Sequence, residues 1–454
     1  MKLLISLLGL FPLVAFGQTD SLYWFIDKQV NDYKIPSLAI GVIKNNSIVY
    51  KNGFGKEVTP ETLFPILSCT KAFTSAAIGI LVDEGKLKWD DKVIKYLPGF
   101  KLKDTKVTQQ LTIRDILSHR SGLESFEGDL LWYRTDYSRE EIIKRIRYSP
   151  LKNKFRKEYG YQNIMYLVAG EIIEKVTGKK WEDFLKEKIF IPLQMNSTRT
   201  TDYLYNIAPS GAIQSNIDDM LTWIRLWMDS GSYNGKKIIS NKSIADITTP
   251  QIFISDKKEE SYGMGWQIES DTNNKVISHG GGMPGYKSLV IIDTENKNGL
   301  VLFTNKITYL NEELAGIVLD YFNSGNMNWM EKDKGLQSKN FRFGWDDAEN
   351  PHQASIIPAF DEYTGTYEDI QYGKTVIKKD HDTAVIEFLP AIKQYKGYLS
   401  YINKDTMHIV FNDPFISDGN IIFNRNKNKI KSFKFDIPRG DFIFSNYNFI
   451  RKDQ

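Results

Sequence analysis

The chain is 454 residues long and nearly charge-balanced, with 59 basic against 56 acidic side chains and a net charge of +3, so two domains are expected and a nucleic-acid partner is not. One cysteine, Cys69, excludes an intramolecular disulfide. The five histidines, His119, His279, His352, His381 and His408, are scattered and no paired-cysteine or H-E-x-x-H spacing occurs, so no metal and no cofactor are expected.

The chain opens like an export signal. Lys2 supplies a positive end, Leu3 to Phe16 an apolar core and Ala15-Phe16-Gly17 a small-residue cleavage site. A signal peptide over residues 1–17 predicts a periplasmic or secreted protein beginning near Gln18, with an uncleaved tether as the alternative. Fourteen apolar residues are short for a bilayer, so no stable membrane insertion is expected. Strands are then predicted at Ser37 to Val49 and Thr62 to Leu67. Helices follow at Lys71 to Glu84, Ile164 to Val176, Trp181 to Phe190 and Asn216 to Asp229. Strands return at Gly265 to Glu269, Lys275 to Ser278, Tyr286 to Asp293 and Gly299 to Asn305, before a helix from Glu312 to Phe322. Strands early and late with helices between them read as α+β, an antiparallel sheet flanked by helices beside a helical lobe.

Residues 18–325 form the predicted first domain. Residues 326–358 read as a polar, partly helical linker, and 359–454 as a second domain of short strands. There Phe433, Phe435 and Ile437 alternate with Lys434 and Asp436, and Asp-rich and Asn-rich turns separate the runs, the pattern of a small antiparallel barrel or sandwich.

Chemistry concentrates at Ser68-Cys69-Thr70-Lys71, where an extended segment passes into an apolar helix. Positions i and i+3 share a helix face, so the Lys71 amine can reach the Ser68 hydroxyl. A buried amine that loses its charge is a base for that hydroxyl. S-x-x-K recurs at Ser149 and Ser255, but in polar stretches that read as solvated loops. Behind Ser68, Phe73, Ala76, Ala77, Ile80 and Leu81 repeat at helical spacing and mark a buried spine. Context leaves two readings open, a catalytic serine or a capping serine followed by a snorkelling lysine. Cys69 points about a hundred degrees away and reads as a small buried hydrophobe rather than a nucleophile. Tyr161-Gln162-Asn163 precedes a second amphipathic helix, although Y-x-N occurs five times and is weak alone. His279-Gly280-Gly281 follows the strand at Lys275 to Ser278, where glycines allow close backbone approach and can offer an oxyanion N–H.

With these three motifs in order, the chain resembles the serine β-lactamase and penicillin-binding-protein superfamily, and within it the class-C-like β-lactamase-related hydrolases. Leu111 to Leu123, Val176 to Leu193 and Tyr262 to Trp266 match further landmarks, and Glu362 to Tyr367 resembles the opening of an appended lipocalin-like domain. The resemblance implies a β-lactamase/transpeptidase-like fold with its active site between two lobes. It implies Ser68 as acylated nucleophile, Lys71 as base, and Tyr161 as proton shuttle. Asn163 would bind the substrate amide carbonyl, and the N–H groups of Ser68 and Gly282 would form the oxyanion hole. His279 and Gly281 would line the substrate site. No Lys-Thr-Gly is present; His279 stands at that motif, and an imidazole of ordinary pKa is mostly neutral where lysine is a cation. The expectation is therefore a serine hydrolase of esters or amides of a small or peptide-like substrate, a cell-wall fragment among the candidates. It covers an esterase, a D-amino-acid amidase or peptidase, or a weak β-lactamase. The alternatives are a D-Ala-D-Ala carboxypeptidase and a sensor or scaffold that never turns over. The C-terminal domain is expected to be a stabilising appendage rather than a substrate-shaping or cell-wall-binding module, and the protein a monomer.

Overall fold

The computed structural model describes residues 16–257, 259–270, 274–325, 327–339, 357–391, 394–438, 440 and 442–452, with side chains from residue 20 onward. All but the last two residues of the 1–17 signal segment, and the 340–356 part of the linker, lie outside the described residues.

An eight-stranded antiparallel sheet organises the first domain. Its strands are β1 (Ser37–Lys44), β2 (Ser47–Gly55), β3 (Ile252–Phe253), β4 (Ser261–Tyr262), β5 (Gln267–Ser270), β6 (Lys275–Met283), β7 (Tyr286–Asp293) and β8 (Asn298–Thr304). Their order is β2-β1-β8-β7-β6-β5-β4-β3. The single strand expected over Ser37 to Val49 is instead the hairpin β1-β2. Asn45 and Asn46 take φ of 49° and 63°, the left-handed pair that turns a chain back on itself and that Asn tolerates.

β1 is apolar without interruption because helices cover both faces of the sheet. Leu38, Ile40 and Val42 face one layer, built by α1 (Phe16–Asp32) and a helix at Leu310–Ser324, while Ala39 and Ile43 face the other. That second layer holds α2 (Thr70–Asp83) and α3 (Ile217–Met228). α2 is buried at every position from Thr70 to Leu81, and Phe73 stacks on Trp223 of α3 at 3.7 Å between ring centroids. A helix buried on every side has no solvent face, and α2 is accordingly the spine of the domain. The Trp181 to Phe190 helix is α-helical to Leu185 and π-helical from Lys186 to Phe190. Part of the expected linker is the helix Trp329–Gln337.

Eight strands between Gly365 and Arg451 form a closed antiparallel barrel in which they pair in sequence order, the last with the first. Its interior is aromatic: Phe433 stacks on Phe449 at 4.9 Å and meets Tyr367 at 5.0 Å. Closure leaves no free sheet edge. The barrel docks on the helical lobe through buried polar contacts. Tyr133 Oη donates to Asp413 Oδ2 at 2.8 Å, Tyr137 Oη to the Tyr372 carbonyl at 2.6 Å and Arg145 Nη1 to the Gln371 carbonyl at 2.7 Å. Glu127 accepts from Ser149 Oγ and from Asn446 Nδ2 of the barrel. Burial holds the Glu127 carboxyl above the usual range.

Candidate active site

Ser68 lies at the junction of the sheet and the helical lobe, in a 3₁₀ turn (Leu67–Cys69) that runs directly into α2. Leu67, buried, takes φ of +49°, a conformation that costs a leucine about 1–3 kcal/mol and persists only where its surroundings impose it. The surroundings are the glycines of β6. A Cβ on Gly281 would lie 2.7 Å from Leu67 Cβ and 2.8 Å from the Ser68 backbone nitrogen, so only glycine lets the strand lie against the turn. Ser288 of β7, opposite Gly281, donates to the Ile66 carbonyl at 2.7 Å and ties the same turn to the sheet. β6 thus continues through the glycines to Met283, beyond the expected end at Ser278.

Pro284-Gly285 closes β6 onto β7, with Gly285 at φ +85° and Met283 paired with Tyr286. In an antiparallel ladder closed by a two-residue turn the closing pair is hydrogen-bonded, and alternation then turns the next residue's N–H away from its partner strand. Gly282 is that residue. Its N–H faces the side that β5, paired only as far as Ser278, leaves open. Gly282 is exposed and lines the same cavity as Ser68, Tyr161 and Asn163.

Lys71 is fully buried. Its Nζ lies 3.1 Å from Ser68 Oγ, 2.7 Å from Asn163 Oδ1 and 3.1 Å from the Ser210 carbonyl oxygen. Burial drives its pKa down from 10.5 to about 7, against an opposing pull from the Asp129 carboxylate. The neutral amine has two hydrogens and one lone pair. The Asn163 and Ser210 oxygens can only accept, so they use the two hydrogens, and the lone pair is left for the Ser68 proton. Asn163 is oriented in turn by donating from Nδ2 to Asp129 Oδ2 at 2.6 Å, which leaves its second Nδ2 hydrogen for a substrate carbonyl.

Tyr161 is half-buried on the cavity wall. Lys71 Nζ sits 4.8 Å from its ring centroid, and its hydroxyl interacts with the Ser68 side chain. Burial nevertheless raises its pKa well above 10, so it carries its proton at neutral pH. The Leu111 to Leu123 segment holds it in place. Asp115 caps its helix with Thr112 and grips Arg156 at 2.7 Å, while His119 accepts from the Gly160 N–H through its carbonyl and from the Gln162 N–H through Nδ1.

His279 differs from expectation. It is 3% exposed, does not line the cavity, and burial pushes its pKa down to about 3. Its Nδ1 lies 2.7 Å from the Gly280 carbonyl, which can only accept, so Nδ1 bears the hydrogen and Nε2 accepts from Tyr262 Oη at 2.9 Å. The ring therefore braces β6 from behind, with both of its nitrogens engaged within the protein. Gly281 likewise packs on the Leu67–Cys69 turn and is not among the residues lining the cavity. Cys69 is buried, donates to the His279 carbonyl at 3.2 Å and has its thiol pushed up to about 12, so it is not a competing nucleophile. Among the described residues no cluster of three or more His, Cys, Asp or Glu could hold a metal ion.

Asp129, Ser210 and Ser288 have no motif to announce them in the sequence, and the landmark at Tyr262 does not say that its hydroxyl meets His279. All of them lie 17 or more positions from the residues they hold, and chain folding alone brings them there.

The Beta-lactamase family model matches residues 25–315, and the chain belongs to that family. A curated relative, an unguisins hydrolase of Aspergillus campestris, is 28% identical over 345 residues, 65% of this chain and 63% of its own length. This chain thus spans just under two thirds of that relative. The octameric penicillin-binding protein homologue from Pyrococcus abyssi aligns with 95% of this chain and 100% of its own, at 23% identity and a TM-score of 0.61. A D-stereospecific amidohydrolase from Streptomyces aligns with 63% of this chain and 94% of its own, at 22% identity and a TM-score of 0.53. These two likenesses establish the fold.

Proposed function

We propose that the protein is a serine hydrolase that cleaves an ester or amide bond of a small or peptide-like substrate through an acyl-enzyme. The observation that carries this reading is the hydrogen-bonding of Lys71, whose two acceptor-only neighbours leave its lone pair directed at Ser68 Oγ, 3.1 Å away. In this reading Ser68 Oγ attacks the carbonyl carbon as its proton passes to Lys71 Nζ. The oxyanion forms between the N–H groups of Ser68 and Gly282. Collapse of that intermediate breaks the ester or amide bond, and the leaving group takes a proton relayed through Tyr161. Water then adds to the acyl-enzyme, with its proton returning by the same relay, and releases the acid and free Ser68. Asn163 Nδ2 would bind a second substrate carbonyl. The absence of any lysine at the third motif, together with a neutral His279, supports esters and amides over carboxylate-anchored β-lactams. The D-stereospecific amidohydrolase among the structural relatives is consistent with that preference.

A fluorophosphonate probe should label the wild type at Ser68, and Ser68→Ala should abolish labelling. Lys71→Ala and Tyr161→Phe should lower kcat on nitrophenyl esters and D-aminoacyl amides by about 10²–10⁴. Labelling at another serine, or near-normal turnover in either variant, would remove the proposal's basis.

A further inference from the structure

An open cavity lies over Ser68, and its wall is drawn from both domains. Phe126, Trp132, Leu204 and Ile207 come from the helical lobe, whereas Phe415 and Phe442 come from the C-terminal barrel. Of the residues lining it, only Asp129 carries a formal charge, and that charge is negative.

The barrel side chains are held rather than draped. Phe415 belongs to the loop between the strands Thr406–Phe411 and Gly419–Asn426. Asp413, 2% exposed, organises that loop by accepting from the Phe415 N–H at 3.0 Å, and fastens it to the helical lobe through Tyr133 Oη at 2.8 Å and Arg134 Nε at 3.1 Å. The Tyr133 ring packs against Phe442 at 4.5 Å and Phe415 at 5.7 Å, and the two phenylalanines meet edge to face at 5.5 Å. The next residue back, Trp132, is itself on the cavity wall, so the docking contacts and the pocket share one piece of chain. A stabilising appendage would have no need to send two aromatic rings to the nucleophile.

We propose that the C-terminal barrel completes the acyl-binding pocket, with Phe415 and Phe442 forming a fixed aromatic wall that selects a neutral apolar acyl group and rejects one bearing a carboxylate. The proposal rests on the serine-hydrolase reading for its catalytic consequence. An apolar acyl group loses water against the two rings, whereas an anionic one finds no cation on the wall and faces the Asp129 carboxylate. Discrimination by apolar contact of this kind is worth about 10- to 200-fold in kcat/KM.

The test compares wild type, Phe415→Ala/Phe442→Ala and Phe415→Leu/Phe442→Leu on nitrophenyl esters of acetic, butyric, phenylacetic and succinic acids. Wild type should favour phenylacetyl over acetyl and butyryl over the succinyl monoanion, each by at least about tenfold. The double alanine variant should lower the phenylacetyl-to-acetyl ratio about 10- to 100-fold, and the double leucine variant, which keeps apolar volume, should restore most of it. An unchanged ratio in the alanine variant, or a succinyl ester cleaved as well as butyryl, overturns the proposal. A second measurement needs no turnover. Calorimetric titration of Ser68→Ala with phenylacetamide should give binding that the added double alanine substitution weakens at least about tenfold. Absent binding, or equal affinity, also overturns the proposal. Binding that depends on the two rings in a protein that cleaves none of the esters would sink the hydrolase reading and leave the barrel's role in the pocket standing.

Discussion

Asp129 offers the sharpest probe of the proposed proton transfer, because it is linked to Lys71 through the Asn163 amide and its charge acts on the proposed base. Asn163 accepts from Lys71 at 2.7 Å and donates to Asp129 at 2.6 Å, which puts the carboxylate roughly 6 Å from the amine. At an effective dielectric of about 20, charges so separated interact by about 3 kcal/mol, or about two pH units on the amine. Asp129 favours the ammonium and so holds the Lys71 pKa up towards about 7 against burial. Asp129→Asn is isosteric and can still accept from Asn163 Nδ2, so it removes the charge without removing the hydrogen bond. The amine must be neutral to accept the serine proton. Wild-type kcat/KM for a neutral nitrophenyl ester should therefore climb about tenfold per pH unit below its midpoint near 7 and level off above it. In Asp129→Asn the midpoint should fall by about one to two units, so the variant keeps its plateau in acid where the wild type has lost it. A midpoint that stays put, or rises, would refute the assignment of Lys71 as the titrating base.

The same burial predicts a cost in stability. The amine's pKa falls from 10.5 to about 7 on folding, so the folded state resists a proton that the unfolded chain accepts. The penalty is complete below pH 7 and gone above 10.5. Urea unfolding at pH 6 and pH 10 should accordingly show wild type gaining about 3–5 kcal/mol relative to Lys71→Met at the higher pH; parallel pH dependence in the two proteins would contradict it. On β6, a Cβ at Gly281 meets the Ser68 backbone nitrogen at 2.8 Å, while one at Gly282 meets only Ile307 at 3.4 Å. Gly281→Ala should therefore lose about 1–3 kcal/mol and its fluorophosphonate labelling, whereas Gly282→Ala should melt as the wild type does. Melting curves showing the reverse order would mean that the two glycines have exchanged roles.

Much of the first domain is legible from local pattern. α2 is apolar at most of its positions, β1 and β8 are rich in aliphatic side chains, and Ser68 and Lys71 are one turn apart, so their proximity follows from helix geometry alone. The errors have equally local causes. The strand predicted to end at Ser278 runs on through Gly280, Gly281 and Gly282 to Met283, a run of glycines that usually weakens a strand, and at Gly281 the turn at Ser68 leaves no room for a side chain. Asn45-Asn46 carries its turn without glycine or proline, and so the β1-β2 hairpin reads as one long strand.

That Ser68 and Lys71 lie side by side is written in the chain, since the pairing depends on spacing within one helical stretch, and so is the strand-rich module that follows the linker. Only the tertiary structure decided how the pair is tuned. The Ser210 carbonyl and the Asn163 amide that orient the Lys71 lone pair, the Asp129 charge behind them, and the inward-facing imidazole of His279 all depend on contacts across 17 to 139 positions of chain. Most remote of all are Phe415 and Phe442, which join the cavity over Ser68 from the far end of the chain. Spacing along one helix is set by bond geometry, whereas the electrostatics of a buried amine and the shape of the space before it are set by whatever folding carries into contact.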